Sequence, residues 1–187
     1  MLQLPFFGVR WPGRSAAAGG LIGALLALAG AGGCSEAKPA TGGLIPARTA
    51  CCVRAISPIT LDGRLDEPGW VTAGTLCLSP IARPAPVMPV WARLLWTDEA
   101  LYVGFESLDP DVLSGPAGRD SFIWLAGDCF EVFLAPPDGA LTRAEVQINP
   151  RDAVLDAGWR PGASFESAVA WSWAGAEWKT HVNGTLD

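Results

Sequence analysis

Trp124-Leu-Ala-Gly-Asp128-Cys-Phe-Glu131-Val-Phe-Leu134 is the stretch whose reading decides the fold. Its second half is aromatic and β-branched, short, and bounded by Gly127 and Pro136, so it reads as a core strand. Glu131 stands inside that apolar run and Asp128 stands at its entrance. A carboxylate in a core strand is costly unless something pairs with it. The partner of Glu131 is either structural, with Arg93 and Arg143 as candidates, or a ligand.

The segments around this strand carry the same short period. Val90, Ala92, Leu94 and Trp96 alternate with Trp91, Arg93 and Leu95, and Leu101, Val103 and Phe105 alternate with Tyr102 and Glu106. Asp98-Glu99-Ala100 joins these two runs as a hairpin. From Thr142 to Pro150, Ala144, Val146 and Ile148 face one side and Arg143, Glu145, Gln147 and Asn149 the other. Further strands are predicted at Ile56 to Leu61, Val154-Leu155, Phe165 to Trp173 and Glu177 to Val182, with Gly175 in a hairpin turn. Residues 79 to 89 hold four prolines and read as a loop. After residue 50 no long segment has helical period. The predicted fold is all-β, an antiparallel β-sandwich of the jelly-roll or immunoglobulin-like kind.

The N-terminus has a different character. Arg10 and Arg14 precede an uncharged stretch, residues 16 to 33, of Ala, Gly, Leu and Ile, and Ala31-Gly32-Gly33 leads into Cys34. This is similar to a bacterial lipoprotein signal, with residues 1–33 removed and Cys34 carrying lipid. Residues 34–53 then form a flexible tether, and residues 54–187 the folded domain. The expected location is the cell envelope, with the membrane reached through that lipid. The whole chain has 13 basic and 19 acidic residues. The signal takes two arginines and no acid, leaving 11 against 19, a net charge of −8. No basic patch remains to neutralise phosphates, so nucleic acid is excluded as a partner. The remaining cysteines, Cys51, Cys52, Cys77 and Cys129, include no CxxC pair, so neither zinc nor c-type haem is signalled.

Four pieces in order resemble the family 9 carbohydrate-binding modules and their β-sandwich relatives. They are Ile59-Thr-Leu-Asp-Gly-Arg-Leu-Asp-Glu-Pro-Gly-Trp70, Ala92-Arg-Leu-Leu-Trp-Thr-Asp-Glu-Ala-Leu-Tyr-Val-Gly-Phe105, Trp124 to Leu134, and Glu145-Val-Gln-Ile-Asn-Pro150. The resemblance runs from about residue 54 to the end. It implies non-catalytic sugar binding, structural calcium in some members, and frequent company with glycoside hydrolases. It also implies that the family's last strands, with a second stacking Trp, lie beyond Asp187. Carried over by position, Trp124 stacks on a sugar ring, Glu131, Gln147 and Asn149 bond its hydroxyls, and Asp128 completes the set.

The residue types suit that chemistry independently. A sugar has apolar C–H faces that pack on an aromatic ring and a rim of hydroxyls that need donors and acceptors. The competing readings are plain. Glu145, Gln147 and Asn149 could form a solvated face, and Trp124 could be core, as Trp70, Trp96 and Tyr102 are expected to be. Catalysis by the chain itself needs two carboxylates about 5–9.5 Å apart. Asp128 and Glu131, three apart on a strand, point to opposite faces. Asp109, Asp111 and Asp120 are the acids that could hold calcium. The alternative function is a haem-binding electron-transfer domain of a related sandwich type, with Met88, Lys179 and His181 as its axial candidates.

Overall fold

The computed structural model describes residues 6–9, 50–78, 89–135, 139–184 and 186. Among them, strands β1 (Phe6–Val9), β2 (Val53–Arg54), β3 (Thr75–Leu78), β4 (Val90–Trp96) and β5 (Leu101–Ser107) form one sheet. Strands β6 (Phe130–Leu134), β7 (Arg143–Ile148) and β8 (Val154–Trp159) form a second. Two short helices, α1 (Pro68–Thr72) and α2 (Phe165–Val169), and a 3-10 turn at Ile123–Leu125 complete the elements. The chain is therefore mostly β, in two sheets with little helix.

The β4–β5 hairpin is the spine of the first sheet. Its register puts Ala92 opposite Phe105 and Leu94 opposite Val103 on the same face. Thr97 closes the turn: its N–H donates to the Ala100 carbonyl at 2.8 Å, and its hydroxyl accepts from Ala100 N–H at 3.1 Å. The second sheet runs β6-β7-β8, all antiparallel, with Val132 opposite Val146 and Ile148 opposite Val154. One face of each sheet feeds a single apolar core: Ala92, Leu94, Val103 and Phe105 from the first, Val132, Leu134, Ala144, Val146, Ile148 and Val154 from the second. Phe105 and Phe130 stack across the two sheets, with ring centroids 4.7 Å apart.

The other face of the first sheet is covered by the chain from residue 53 to 73. Trp70 on α1 is buried against Leu95, with Ile59, Leu61, Leu65 and Tyr102 packed around them. This explains the Ile59–Trp70 motif residue by residue. Pro68 begins α1, where a missing N–H costs nothing. Glu67 accepts from Trp70 Nε1 at 3.1 Å and from Thr60 N–H at 2.7 Å. Asp62 Oδ1 accepts from Arg64 N–H at 2.9 Å, and Gly63 turns there with φ of 86°. A Cβ at Gly63 would lie 2.5 Å from the Thr180 backbone, so only glycine lets this turn dock on the C-terminal segment.

Several expectations are corrected. The sheets are not wholly antiparallel, since β2 runs parallel to β4. Ile56 to Leu61 forms no strand. Phe165 to Trp173 opens as a helix, because Arg160-Pro161-Gly162-Ala163 makes a tight turn with Gly162 at φ of 74° and Ser164 then caps α2 by accepting from Ser167 N–H at 3.2 Å. Glu177 to Val182 is also without strand pairing. It is tied down instead by Asp152, whose Oδ1 accepts from Thr180 N–H and Thr180 Oγ1 at 2.6 Å each and whose other oxygen pairs with Lys179. Trp70 is core as expected, but Trp96 is exposed, with the Arg54 guanidinium 5.3 Å over its ring.

Residues 1–5 and 10–49, with Cys34 of the expected signal and most of the expected tether, fall outside the described residues, as do residues 79–88 with Met88. Phe6–Val9, inside the expected signal, is described as a strand antiparallel to β5, with Phe6 opposite Gly104 and Val9 opposite Leu101. No helix among the described residues is long and apolar enough to cross a membrane.

Candidate functional site

Alternation along the second sheet decides what each face can do. Phe130, Val132 and Leu134 turn toward the core, so Glu131 and Phe133 turn outward. Opposite Glu131 stands Gln147, and opposite Phe133 stands Glu145. On β8 the same outward face carries Leu155, Ala157 and Trp159. This face is not solvated along its whole width. The 3-10 turn packs against β7 and α2 against β8. Glu145 and Gln147 are buried, and Glu131 at the open edge strand β6 is exposed.

A polar residue under cover must find partners within the protein. Glu145 does so twice: Oε1 accepts from Gln147 Nε2 and Oε2 accepts from Trp159 Nε1, both at 2.8 Å. Arg143 lies 3.8 Å from Glu145 Oε2 and stacks over Trp159, 4.4 Å from its ring centre, and over Phe133 at 5.6 Å. Gln147 is satisfied on one side only. Its Oε1 is buried and accepts no hydrogen bond in the structure, although the residue is only 3% exposed. Such an orphan acceptor costs about 1–3 kcal/mol.

An aromatic cluster lies over this polar floor. Phe122, Trp124 and Phe165 are 47%, 36% and 39% exposed. Phe122 meets Trp124 edge-on at 5.2 Å and stacks with Phe165 at 5.7 Å, while Phe165 reaches Trp124 at 6.1 Å and Trp159 at 6.2 Å. Three large rings left open to solvent together form a surface suited to the apolar face of a ligand.

The sequence-derived set divides on this geometry. Glu131 and Gln147 are cross-strand neighbours, and Trp124 stands on the 3-10 turn that packs against β7. Glu131 makes no hydrogen bond or ion pair with a described residue, because Arg93 is engaged by Glu106 at 3.0 Å and Arg143 by the Glu145 side. Partial desolvation of its carboxyl, and after that the charge of Glu145, holds its pKa above the ordinary value of 4.5. Asn149 stands apart: it is 1% exposed, its Oδ1 accepts from Arg151 and Ala153 N–H at 2.9 and 3.0 Å, and its Nδ2 donates to the Pro116 carbonyl at 2.9 Å. It holds the turn into β8. Asp128 staples a loop to the strand entrance: its Oδ2 accepts from Leu113 N–H, and its own N–H donates to the Leu113 carbonyl, both at 2.9 Å. Burial, then the charges of Asp109 and Asp111, push its pKa up against the lowering effect of the Leu113 hydrogen bond.

The calcium candidates do not gather into a site among the described residues, and Met88 of the haem reading lies outside them. Asp109 Oδ1 accepts from Asp111 N–H at 2.9 Å as a turn, Asp120 lies on another turn beside Arg119, and no group of three His, Cys, Asp or Glu that could hold a metal occurs among the described residues. Lys179, a haem-ligand candidate, is engaged by Asp152.

Sequence reasoning missed Phe122, Phe165, Trp159 and Asp156. The cap signal at Ser164 could have found Phe165. Asp156 sits 1% exposed on the core side of β8, where both oxygens accept from Arg119 Nη2, at 2.8 and 2.7 Å. Arg119 also donates to Ser172 Oγ at 2.6 Å and lies 5.3 Å over the Trp178 ring, so this cluster locks loop and C-terminal segment to β8. Comparison of the chain with protein-family models, with curated proteins and with solved structures gives no match.

Proposed function

We propose that this chain is a non-catalytic carbohydrate-binding domain whose two sheets form a β-sandwich, exported and held to the cell envelope by lipid on Cys34. The observation that carries the reading is the exposed Phe122–Trp124–Phe165 cluster, on elements that pack against the sheet bearing Glu131 and Gln147. A pyranose laid against Trp124 puts its C–H face on the ring and leaves its hydroxyls to exposed polar groups, of which Glu131 is the candidate on this sheet. Calcium, where the family resemblance implies it, would be structural here and takes no part in this contact.

The test is a glycan array followed by calorimetry on wild type, Trp124→Ala, Phe165→Ala and Glu131→Ala. Loss of the Trp124 ring is expected to weaken binding at least ~10-fold, about 1.4 kcal/mol, with circular dichroism unchanged. If all three variants keep wild-type affinity while folded, the site lies elsewhere. If no glycan binds the wild-type protein, the sugar reading fails.

A further inference from the structure

Resting on the proposed sugar site, we infer that Arg143 sets its specificity: the ligand is an acidic sugar whose carboxylate meets the Arg143 guanidinium while a ring face lies on the exposed aromatic cluster. The rings lead from one to the other. Phe165, exposed in the cluster with Phe122 and Trp124, lies 6.2 Å from the half-buried Trp159. The Arg143 guanidinium lies over that same Trp159 ring, 4.4 Å from its centre, and over Phe133 at 5.6 Å. The aromatic surface thus continues, ring by ring, to a cation. Sheet register fixes this order, since Arg143 and Trp159 are cross-strand partners at the start of β7 and the end of β8.

The fold leaves most of the donor capacity of Arg143 unused. Its side chain is 48% exposed, and its N–H groups donate no hydrogen bond to a described residue. The carboxylate paired with it, Glu145 Oε2, is 3.8 Å away, beyond hydrogen-bond reach, and already accepts from Trp159 Nε1 at 2.8 Å. Glu131 stands opposite Gln147, four residues along β7 from Arg143, about 13 Å of strand. Two ring faces hold the guanidinium and leave its N–H edge for a planar acceptor that can take two donors, as a carboxylate does. A hydroxyl offers one oxygen and no charge, so it gains less there. The acidic balance of the chain, 13 basic against 19 acidic residues, acts at longer range and is largely screened beyond about 8 Å at physiological salt.

The test uses the full chain and fragments of galacturonan, alginate and glucuronoxylan, each beside the same fragment with its carboxylates reduced to alcohols. By calorimetry, wild type is expected to bind at least one acidic fragment at least ~10-fold more tightly than its reduced form, with that margin shrinking as salt is raised. Arg143→Gln is expected to cut the margin below ~2-fold, and Arg143→Lys, which keeps the charge and loses the fork, to leave an intermediate one. Circular dichroism checks both variants; should Arg143→Gln unfold, an undiminished margin in Arg143→Lys counts against the inference. Equal binding of acidic and reduced forms by wild type, no binding of any acidic fragment, or a margin that survives Arg143→Gln overturns it. A preference for sulfated glycans alone overturns the carboxylate. If neutral glycans on the array bind while the acidic margin is absent, the acidic class falls and the sugar reading stands; if the array is blank, both have failed.

Discussion

Removing the carboxylate of Asp156 is expected to be the most damaging polar substitution in the domain. Asp156→Ala deletes the acceptor for Arg119 Nη2, at 2.7 and 2.8 Å, and for Trp173 N–H, at 2.5 Å. Breaking a buried ion pair by removing one partner costs about 3–5 kcal/mol. The Arg119 side chain is 37% exposed and keeps Ser172 and the Trp178 ring, so solvent returns part of that, leaving about 2 kcal/mol. Loss of the hydrogen bond that Trp173 N–H donates to Asp156 adds about 1–2 kcal/mol. Together the loss is about 3–4 kcal/mol, a drop of about 1–4 M in the urea midpoint for an ordinary m-value. Asp156→Asn keeps an acceptor for Trp173 N–H and loses the charge, so it is expected to cost about half as much. Equilibrium urea unfolding followed by Trp fluorescence measures both. A midpoint shift below ~0.5 M for Asp156→Ala, or an Asn variant as damaged as the Ala variant, would refute the reasoning.

Three further outcomes follow from the same structure. Glu131 has a raised pKa in the fold, so the folded state holds its proton where the unfolded chain has lost it; the stability this contributes is present below the unfolded value of 4.5 and is lost as pH rises through the higher folded pKa. Glu131→Gln should flatten that part of the Tm–pH profile and leave Tm at neutral pH equal or higher, and a wild-type profile in this variant would contradict the assignment. Burial pushes the Cys52 thiol up to about 11, and burial with Glu131 and Asp128 pushes Cys129 up to about 12, while Cys51 is exposed. Maleimide labelling of the native protein, read by peptide mass, should therefore modify Cys51 first, and equal labelling of Cys129 would count against its burial. Cleavage before Cys34 would remove Phe6–Val9 and leave the β5 edge from Leu101 to Gly104 unpaired; the mass of the envelope protein should show a lipidated Cys34 start, and retention of Phe6–Val9 would exclude the signal reading.

Where a segment supplies both its period and its own turn, the sequence is enough. The β4–β5 hairpin is such a case, because Thr97 to Ala100 closes on itself and brings the two alternating runs into register. Glu177 to Val182 shows the opposite. It has strand-like composition, yet a strand exists only through a partner, and this segment is held by the Asp152 side chain. Phe165 to Trp173 misleads in another way. Its aromatic and small residues resemble a strand, but a single well-formed cap at Ser164, with Glu166 in the first turn, tips the local balance to helix.

The polar side of β7 marks the limit most sharply. Alternation assigns Arg143, Glu145, Gln147 and Asn149 to one face, and it says nothing about what lies over that face. The cover comes from α2 and the 3-10 turn, one of which composition disguises as a strand. Once covered, these groups can no longer be interchangeable surface residues, and each takes a separate role. Asn149 spends its acceptor and a donor on a turn, Glu145 takes two donors, and Gln147 is left one acceptor in excess. A fold selected for stability alone has a simple remedy, an apolar side chain at 147 with Glu145 changed to match. The chain instead keeps the buried acceptor, and leaves three large rings exposed on the elements that cover this sheet. The rings are the part a ligand can reach, so the proposed binding rests on Trp124 and its aromatic neighbours.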